Sequence, residues 1–312
     1  MKLRLLSRRS FVSSAVRSSI GVSLGLAGLR VGRARAQPVD DAVDLGGGFH
    51  VLASGNTNVL AVAAGDGIAL VDGGALAESA ALLARVAALP GGGSVHTLFN
   101  THWHPEHTGS NEALGTLGAR IVSHVNTRLW LTTDVTWPWN EQTVAPLPEI
   151  AWPTETFYDE LELTVGDKPV VCGHLRDCPH TDGDMYVYFP DANVMAIGDA
   201  VSGAGWPSID WWTGGWIGGI VGGLDMILTV SNDDTRFVTG TGPVLTRADM
   251  LDQFEMYIVI WERMQRIMYG GGGPKEALEA EPTKEFNELM GPSDEFVVRA
   301  IESMGPYLSP DA

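Results

Sequence analysis

Thr101-His102-Trp103-His104-Pro105-Glu106-His107-Thr108-Gly109 decides how the chain is read. Three histidines and a carboxylate fall within six residues, although the whole sequence holds only 8 histidines. The apolar run Val95–Phe99 before the cluster reads as a short buried strand, and Ser110–Leu117 after it as a helix, so the cluster sits on the bend between them. Zinc takes imidazole nitrogen and carboxylate oxygen at tetrahedral angles. His102 and His104 are two residues apart, which in extended backbone puts both rings on one side. Pro105 then redirects the chain, so that Glu106 and His107 can face a second metal beside the first.

Two later segments add candidates. Cys178-Pro179-His180-Thr181-Asp182-Gly183-Asp184 reads as a turn before the strand Met185–Phe189, and supplies His180 as a third imidazole for the first metal. Asp182 and Asp184 either orient the ligands or only form the turn. Ile197-Gly198-Asp199-Ala200 ends an apolar strand in a carboxylate, which suits a bridging ligand and equally a helix cap.

Around these pieces the pattern is strands in two batches, each followed by helices. The runs Phe49–Ala53, Val59–Ala64 and Ile68–Val71 read as a meander, and Ala75–Leu89 as a helix stopped by Pro90. Asp134–Thr156, with its prolines and tryptophans, reads as a long loop. Strands return at Leu161–Val165, Pro169–Cys172, Met185–Phe189 and Val194–Ile197. The Gly/Trp-rich stretch Val201–Gly223 leads into a helix at about Leu224–Val230. The glycine runs 91–93, 214–223 and 270–273 lack the Gly-x-x-x-x-Gly-Lys-Ser/Thr pattern of a phosphate loop and read as turns. Arg247–Met268 reads as a long core-packing helix, and Pro274–Leu308 as mostly helical. The expected fold is an α/β (α+β) chain of two packed sheets covered by helices on their outer faces, four layers in all.

These blocks, in this order, resemble the metallo-β-lactamase superfamily from about Phe49 to Leu245. The resemblance includes the strand end Leu70-Val71-Asp72-Gly73-Gly74 and the stretch Gly240-Thr241-Gly242-Pro243. It implies an αββα sandwich with the site at one edge of the two sheets; the domain is expected over residues 37–312, with a C-terminal helical segment at 247–312 read from the pattern of the tail. It implies that His102, His104 and His180 hold one zinc, that Glu106 and His107 hold another, and that Asp199 bridges. The implied chemistry is hydroxide attack on the carbonyl of an ester, thioester, lactone or β-lactam, with Glu106 or Asp199 handling the proton. This makes a small molecule the expected partner.

Two departures from the family pattern matter. Glu106 stands where the family has Asp, one methylene longer, and Thr241 stands where it usually has His. Loss of a supporting partner alone costs metal sites about 10–100-fold in affinity, so the expectation is one firmly held zinc and a weak or absent second. The same changes motivate an alternative, a non-catalytic metal-binding or sensing protein.

Composition narrows the field. The 312 residues carry 20 Lys+Arg and 38 Asp+Glu. Eight of the basic residues and none of the acidic ones fall in residues 1–36, which leaves twelve basic against 38 acidic in the remainder, a net charge of −26. Such a body repels phosphate backbones and anionic lipid, so nucleic acid and membrane surfaces are not expected partners. The first 36 residues resemble a twin-arginine export signal: Ser7-Arg8-Arg9-Ser10-Phe11-Val12, a weakly apolar stretch clearest from Ile20 to Leu29, and Ala34-Arg35-Ala36 before a cleavage point at Gln37. The apolar part falls short of the about 20 residues of a membrane span, so no lasting anchor is expected and the destination is periplasmic or extracellular. Cys172 and Cys178 read equally as a disulfide or as two buried thiols. His174 reads as a surface residue, and His50, His96 and His124 as structural. Trp206, Trp211, Trp212 and Trp216, with Trp130, Trp137, Trp139 and Trp152, read either as walls of an apolar cleft or as core.

Overall fold

The structure is a computed structural model that describes residues 42–65 and 67–308. The expected export signal and its cleavage point lie outside the described residues. Strands β1 (Val43–Gly46), β2 (Phe49–Ser54), β3 (Thr57–Ala64) and β4 (Gly67–Val71) form the antiparallel meander. Helix α1 (Ser79–Ala87) crosses to β5 (Val95–Asn100). Two short helices, α2 (Pro105–Thr108) and α3 (Asn111–Thr116), lead to β6 (Arg120–His124). After α4 (Val125–Leu131) comes a two-residue ladder, β7 (Val135–Thr136) with β8 (Thr143–Val144), and then β9 (Glu155–Phe157). Strands β4, β5, β6 and β9 pair in parallel, which completes a seven-stranded sheet in the order β1-β2-β3-β4-β5-β6-β9.

The second sheet is built from β10 (Glu160–Val165), β11 (Lys168–His174), β12 (Met185–Phe189) and β13 (Val194–Gly198), all antiparallel. Helix α5 (Ile217–Val230) then returns the chain to β14 (Arg236–Thr239), parallel to β13. The C-terminal part is helical: α6 (Arg247–Tyr269), α7 (Pro274–Ala280), α8 (Asn287–Met290) and α9 (Asp294–Leu308).

The four layers follow from period-two alternation along the strands. On β3, Leu60 and Val62 face the second sheet and meet the cluster of Val187 and Phe189, whereas Val59 and Ala61 face outward onto Leu82 and Val86 of α1. On β13, Val194 and Ala196 join the layer between the sheets, whereas Met195 and Ile197 join Ile220, Tyr257, Ile260 and Phe296 under α5, α6 and α9. A slip of one residue would exchange every inward side chain for an outward one, and because both faces are apolar it is the fit of side-chain sizes on the two sides, not polarity, that fixes the register. The expected αββα sandwich with a helical C-terminal extension is what the chain forms.

Three local readings are corrected. The stretch Asp134–Thr156 is not all loop, because it holds the β7–β8 ladder and reaches into β9. The glycines of 217–223 are not turns, because α5 begins at Ile217 and runs through them. A Cβ on Gly219 would stand 2.2 Å from the Asp177 carbonyl oxygen, and one on Gly222 would stand 2.4 Å from the Asp177 carboxylate. The helix is glycine-rich so that the 177–179 turn can lie on its backbone. His174 is half-buried rather than a free surface residue, and its ring stacks on His124 at 3.7 Å and 12°. No disulfide joins Cys172 and Cys178; Cys172 lies in the layer between the sheets, where burial pushes its thiol pKa up. Among the described residues, no helix is long and apolar enough to cross a membrane.

Candidate metal centre

All the candidate groups leave strand ends at one edge of the sandwich. Asp72 follows β4 with a left-handed backbone (φ 64), a conformation that non-glycine residues adopt only when their surroundings enforce it. Its carboxylate accepts the Thr101 N–H at 2.8 Å and the Thr101 hydroxyl at 2.8 Å, which pins the start of the histidine segment. Pro105 opens α2, and His104 precedes it in extended geometry. The His180 turn is fastened by Asp184, whose carboxylate accepts the N–H groups of His180 at 2.7 Å and Thr181 at 2.9 Å. Asp199 follows β13, where Gly198 takes φ 53. A Cβ on Gly198 would stand 2.4 Å from the Thr101 hydroxyl. Glycine is required there because any side chain would drive β13 away from the histidines.

His102, His104 and His180 are buried, and one nitrogen of each lies within 4.8 Å of the others. Their ring planes are nearly perpendicular in pairs, at 79°, 88° and 90°, so the three rings address one point from three directions. The far side of each ring is committed. His102 Nδ1 lies 3.1 Å from the Thr101 hydroxyl, His180 Nδ1 lies 2.9 Å from the Ser208 carbonyl oxygen, and His104 Nε2 lies 2.9 Å from Asp210 Oδ2. A carbonyl and a carboxylate can only accept, so His180 Nδ1 and His104 Nε2 carry the protons. With both rings neutral, that leaves lone pairs on His180 Nε2 and His104 Nδ1, which face each other at 3.0 Å, a contact that a proton or a metal ion would bridge. His102 Nε2 is buried with no hydrogen-bond partner. Three converging lone pairs in a buried place repel one another unless a cation lies among them, so these residues fit a metal ion.

A second cluster brings His102, His107 and Asp199 together. Asp199 Oδ2 lies 3.2 Å from His107 Nε2 and 3.9 Å from His102 Nε2, and Asp72 Oδ2 lies 3.0 Å from His107 Nδ1. Burial acts to raise the Asp199 pKa, but His107 overrides it and holds the carboxyl far below the usual carboxylate range. Burial also acts against the charged form of His107, yet Asp199 and Asp72 raise its pKa well above the ordinary value. His102 moves the other way, lowered well below it by burial and by the neighbouring rings.

Glu106 joins neither cluster. Its side chain is 48% exposed and its nearer carboxylate oxygen lies 3.9 Å from His104 Nδ1. The expected pairing of Glu106 with His107 is therefore not formed; Glu106 stands beside His104 on the solvent side. Thr241 hydrogen-bonds Ser202 between hydroxyls at 3.0 Å and presents no imidazole.

Asp210 escapes a reading of the sequence. It accepts from the His104 ring, from Trp137 Nε1 at 3.0 Å and from the Thr213 N–H at 3.1 Å, and its pKa falls to about 2, since burial is outweighed by the His104 hydrogen bond. Its one signal is a lone carboxylate inside the apolar run Ile209-Asp210-Trp211-Trp212. The tryptophans divide. Trp137, Trp139 and Trp211 continue from His104 as a chain of ring contacts at 5.7, 6.0 and 5.8 Å. Trp206 lines a cavity beside Asp199, and Trp216 packs on Trp261.

An αββα sandwich with a histidine-rich metal site at one sheet edge defines a class of metal-dependent hydrolase folds. Residues 53–253 match the Metallo-beta-lactamase superfamily, and the chain belongs to it. No curated protein matches it. It is similar to the metallo-beta-lactamase from Pontibacter korlensis at 16% identity, covering 70% of this chain and 98% of that one with a TM-score of 0.54. It is similar to a metallo-beta-lactamase family protein from Thermus thermophilus at 19% identity, 86% and 95% coverage and a TM-score of 0.60. It is also similar to the stereoselective inverting sec-alkylsulfatase from Pseudomonas sp. at 15% identity and a TM-score of 0.64, with 86% of this chain on 50% of that one. At these identities the likeness is one of fold.

Proposed function

We propose that the chain is a zinc-dependent hydrolase acting on the carbonyl of a small ester, thioester, lactone or β-lactam. The observation that carries this reading is the convergence of His102 Nε2, His104 Nδ1 and His180 Nε2 with their outer nitrogens already committed. These three residues would hold the metal firmly. Zinc supplies Lewis acidity, which polarises a carbonyl and brings the pKa of water to about 7. Asp199 is ionised and sits between the two histidine clusters, so it accepts a hydrogen bond from the attacking water and orients it. Glu106, solvent-facing beside His104, takes the proton and returns it to the leaving group. Asp210 and the Ser208 carbonyl fix the tautomers of His104 and His180. For a second metal, only His107 and Asp199 remain once His102 is used, so that site is weak.

The test uses the purified full-length chain. Zinc per chain is measured, and nitrocefin, a lactone and an S-acyl thioester are assayed with and without added zinc. Turnover of a carbonyl substrate that His104→Ala abolishes supports the reading. Absence of turnover on every substrate with zinc bound favours the metal-binding or sensing alternative. Export by the twin-arginine route is part of the proposal and rests on Arg8 and Arg9 in residues 1–36; replacement of both by lysine should leave the chain in the cytoplasm.

A further inference from the structure

Beside Asp199 opens a cavity of about 480 Å³, within the range of about 300–1,000 Å³ typical of small-molecule sites. Trp206, Pro207 and Ala204 give it an apolar wall, and Asn56, Ser202 and Thr241 give it neutral polar groups. Among the described residues, Asp199 is its one charged lining group, and none of the twelve arginines and lysines outside residues 1–36 lines it. Arg85 reaches the rim only to donate to the carbonyl oxygen of Ala53. Arg299, the cation on the aromatic chain, lies over the Trp139 ring at 3.5 Å and pairs with Glu295.

Resting on the hydrolase reading, we propose that this cavity selects uncharged acyl substrates, neutral esters or lactones that carry hydroxyl or amide groups, and rejects anionic ones. A carboxylate or sulfate placed in it gives up water and finds no guanidinium or ammonium among the lining side chains to take its place. The excess negative charge of the body adds to this at longer range. A metal held by His102, His104 and His180 would engage the reacting carbonyl, so a second, anionic group would have to find its partner among the lining side chains. The Ser202–Thr241 hydroxyl pair, 3.0 Å apart, can turn one hydrogen outward or accept one, so it suits a neutral hydroxyl or amide. Carboxylate-bearing β-lactams and sulfate esters are therefore poor substrates of this chain.

Two near-isosteric pairs test this on the zinc-loaded full chain. The esters 4-nitrophenyl butyrate (neutral) and 4-nitrophenyl hemisuccinate (anionic) are compared for kcat/KM, and the unreactive amides butyranilide and succinanilic acid for binding by calorimetry. The neutral member should be favoured at least about tenfold in each pair, and Asn56→Lys should shift both ratios toward the anion. If butyranilide is preferred but neither ester turns over, the selectivity stands and the hydrolase reading falls. Equal treatment of the charges, preference for the anion, or failure of both amides to bind overturns the proposal.

Discussion

Asp210 grips His104 from behind: its carboxylate lies 2.9 Å from Nε2, on the side of the ring opposite the nitrogen that faces His180. The same carboxylate takes the Trp137 indole and the Thr213 N–H, so its own position is fixed. Asp210→Asn keeps the shape and removes the charge that sets the tautomer. Zinc affinity, measured by competition with a chelator, should fall about 10–100-fold, with a smaller change in folding stability. Unchanged affinity would show that His104 is oriented by packing alone.

Thr241 occupies the place of a missing donor. Its hydroxyl bonds Ser202 and is no imidazole, so on the proposed reading His107 and Asp199 alone would be left for a second metal. Wild-type protein dialysed against metal-free buffer should keep about one zinc per chain. Thr241→His should add a third donor and retain a second ion after the same dialysis, read by atomic emission. Two ions retained by the wild type would refute the weak second site.

What is legible in the sequence is whatever rests on residue type at fixed spacing. His102 and His104 are two apart on a strand end, and His180 stands in a polar turn, so all three show. The alternation Val194, Met195, Ala196, Ile197 announces a strand buried on two faces. What stays hidden depends on contacts between distant segments. Asp210 looks like any loop aspartate until Trp137 and His104, 73 and 106 residues away, arrive at its oxygens. The glycines of α5 look like turns because their purpose, room for the 177–179 segment, belongs to the neighbouring turn rather than to the helix. Adjacency pairs Glu106 with His107, yet successive positions on a short helix point different ways, and only His107 turns inward.

Gly219 lets the Cys178 carbonyl region lie directly on α5, and the next two residues along lead to His180. Gly219→Val should force the turn away from the helix. A destabilisation of about 1–3 kcal/mol is expected from overpacking, with a loss of zinc affinity because His180 moves with the turn. Gly305→Ala, at a helical position with open space around it, should leave stability and zinc affinity unchanged. Denaturant melts and chelator titrations of both variants make the comparison.

Tyr257 on α6 is fully buried, and its hydroxyl finds no protein partner. Burial also drives its pKa up. An unsatisfied buried hydroxyl costs about 1–3 kcal/mol, so Tyr257→Phe should be neutral or stabilising in a denaturant melt. A marked loss of stability would mean that the hydroxyl is bonded after all, for example to an enclosed water.

The stacked pair His124 and His174 should give the protein an acid-sensitive stability. Burial, reinforced by His174, lowers the His124 pKa to about 4, and burial lowers that of His174 as well. Unfolded, both titrate near the ordinary value of about 6.5. Between these limits the unfolded chain binds more protons than the folded one, so stability falls as the pH drops from about 6.5 toward 4 and levels off below. Asp182 works in the opposite sense. Burial raises its pKa to about 6, so its contribution is present at low pH and is lost as the pH rises through that value. The two effects separate in a difference measurement. Wild type and His124→Phe are melted in denaturant from pH 7.5 to 4.5 with zinc in excess. The wild type should lose about 1–2 kcal/mol more than the variant over that range, the figure being reduced for the partial solvent exposure of the pair. Parallel pH profiles would mean that the folded stack takes up protons as readily as the unfolded chain.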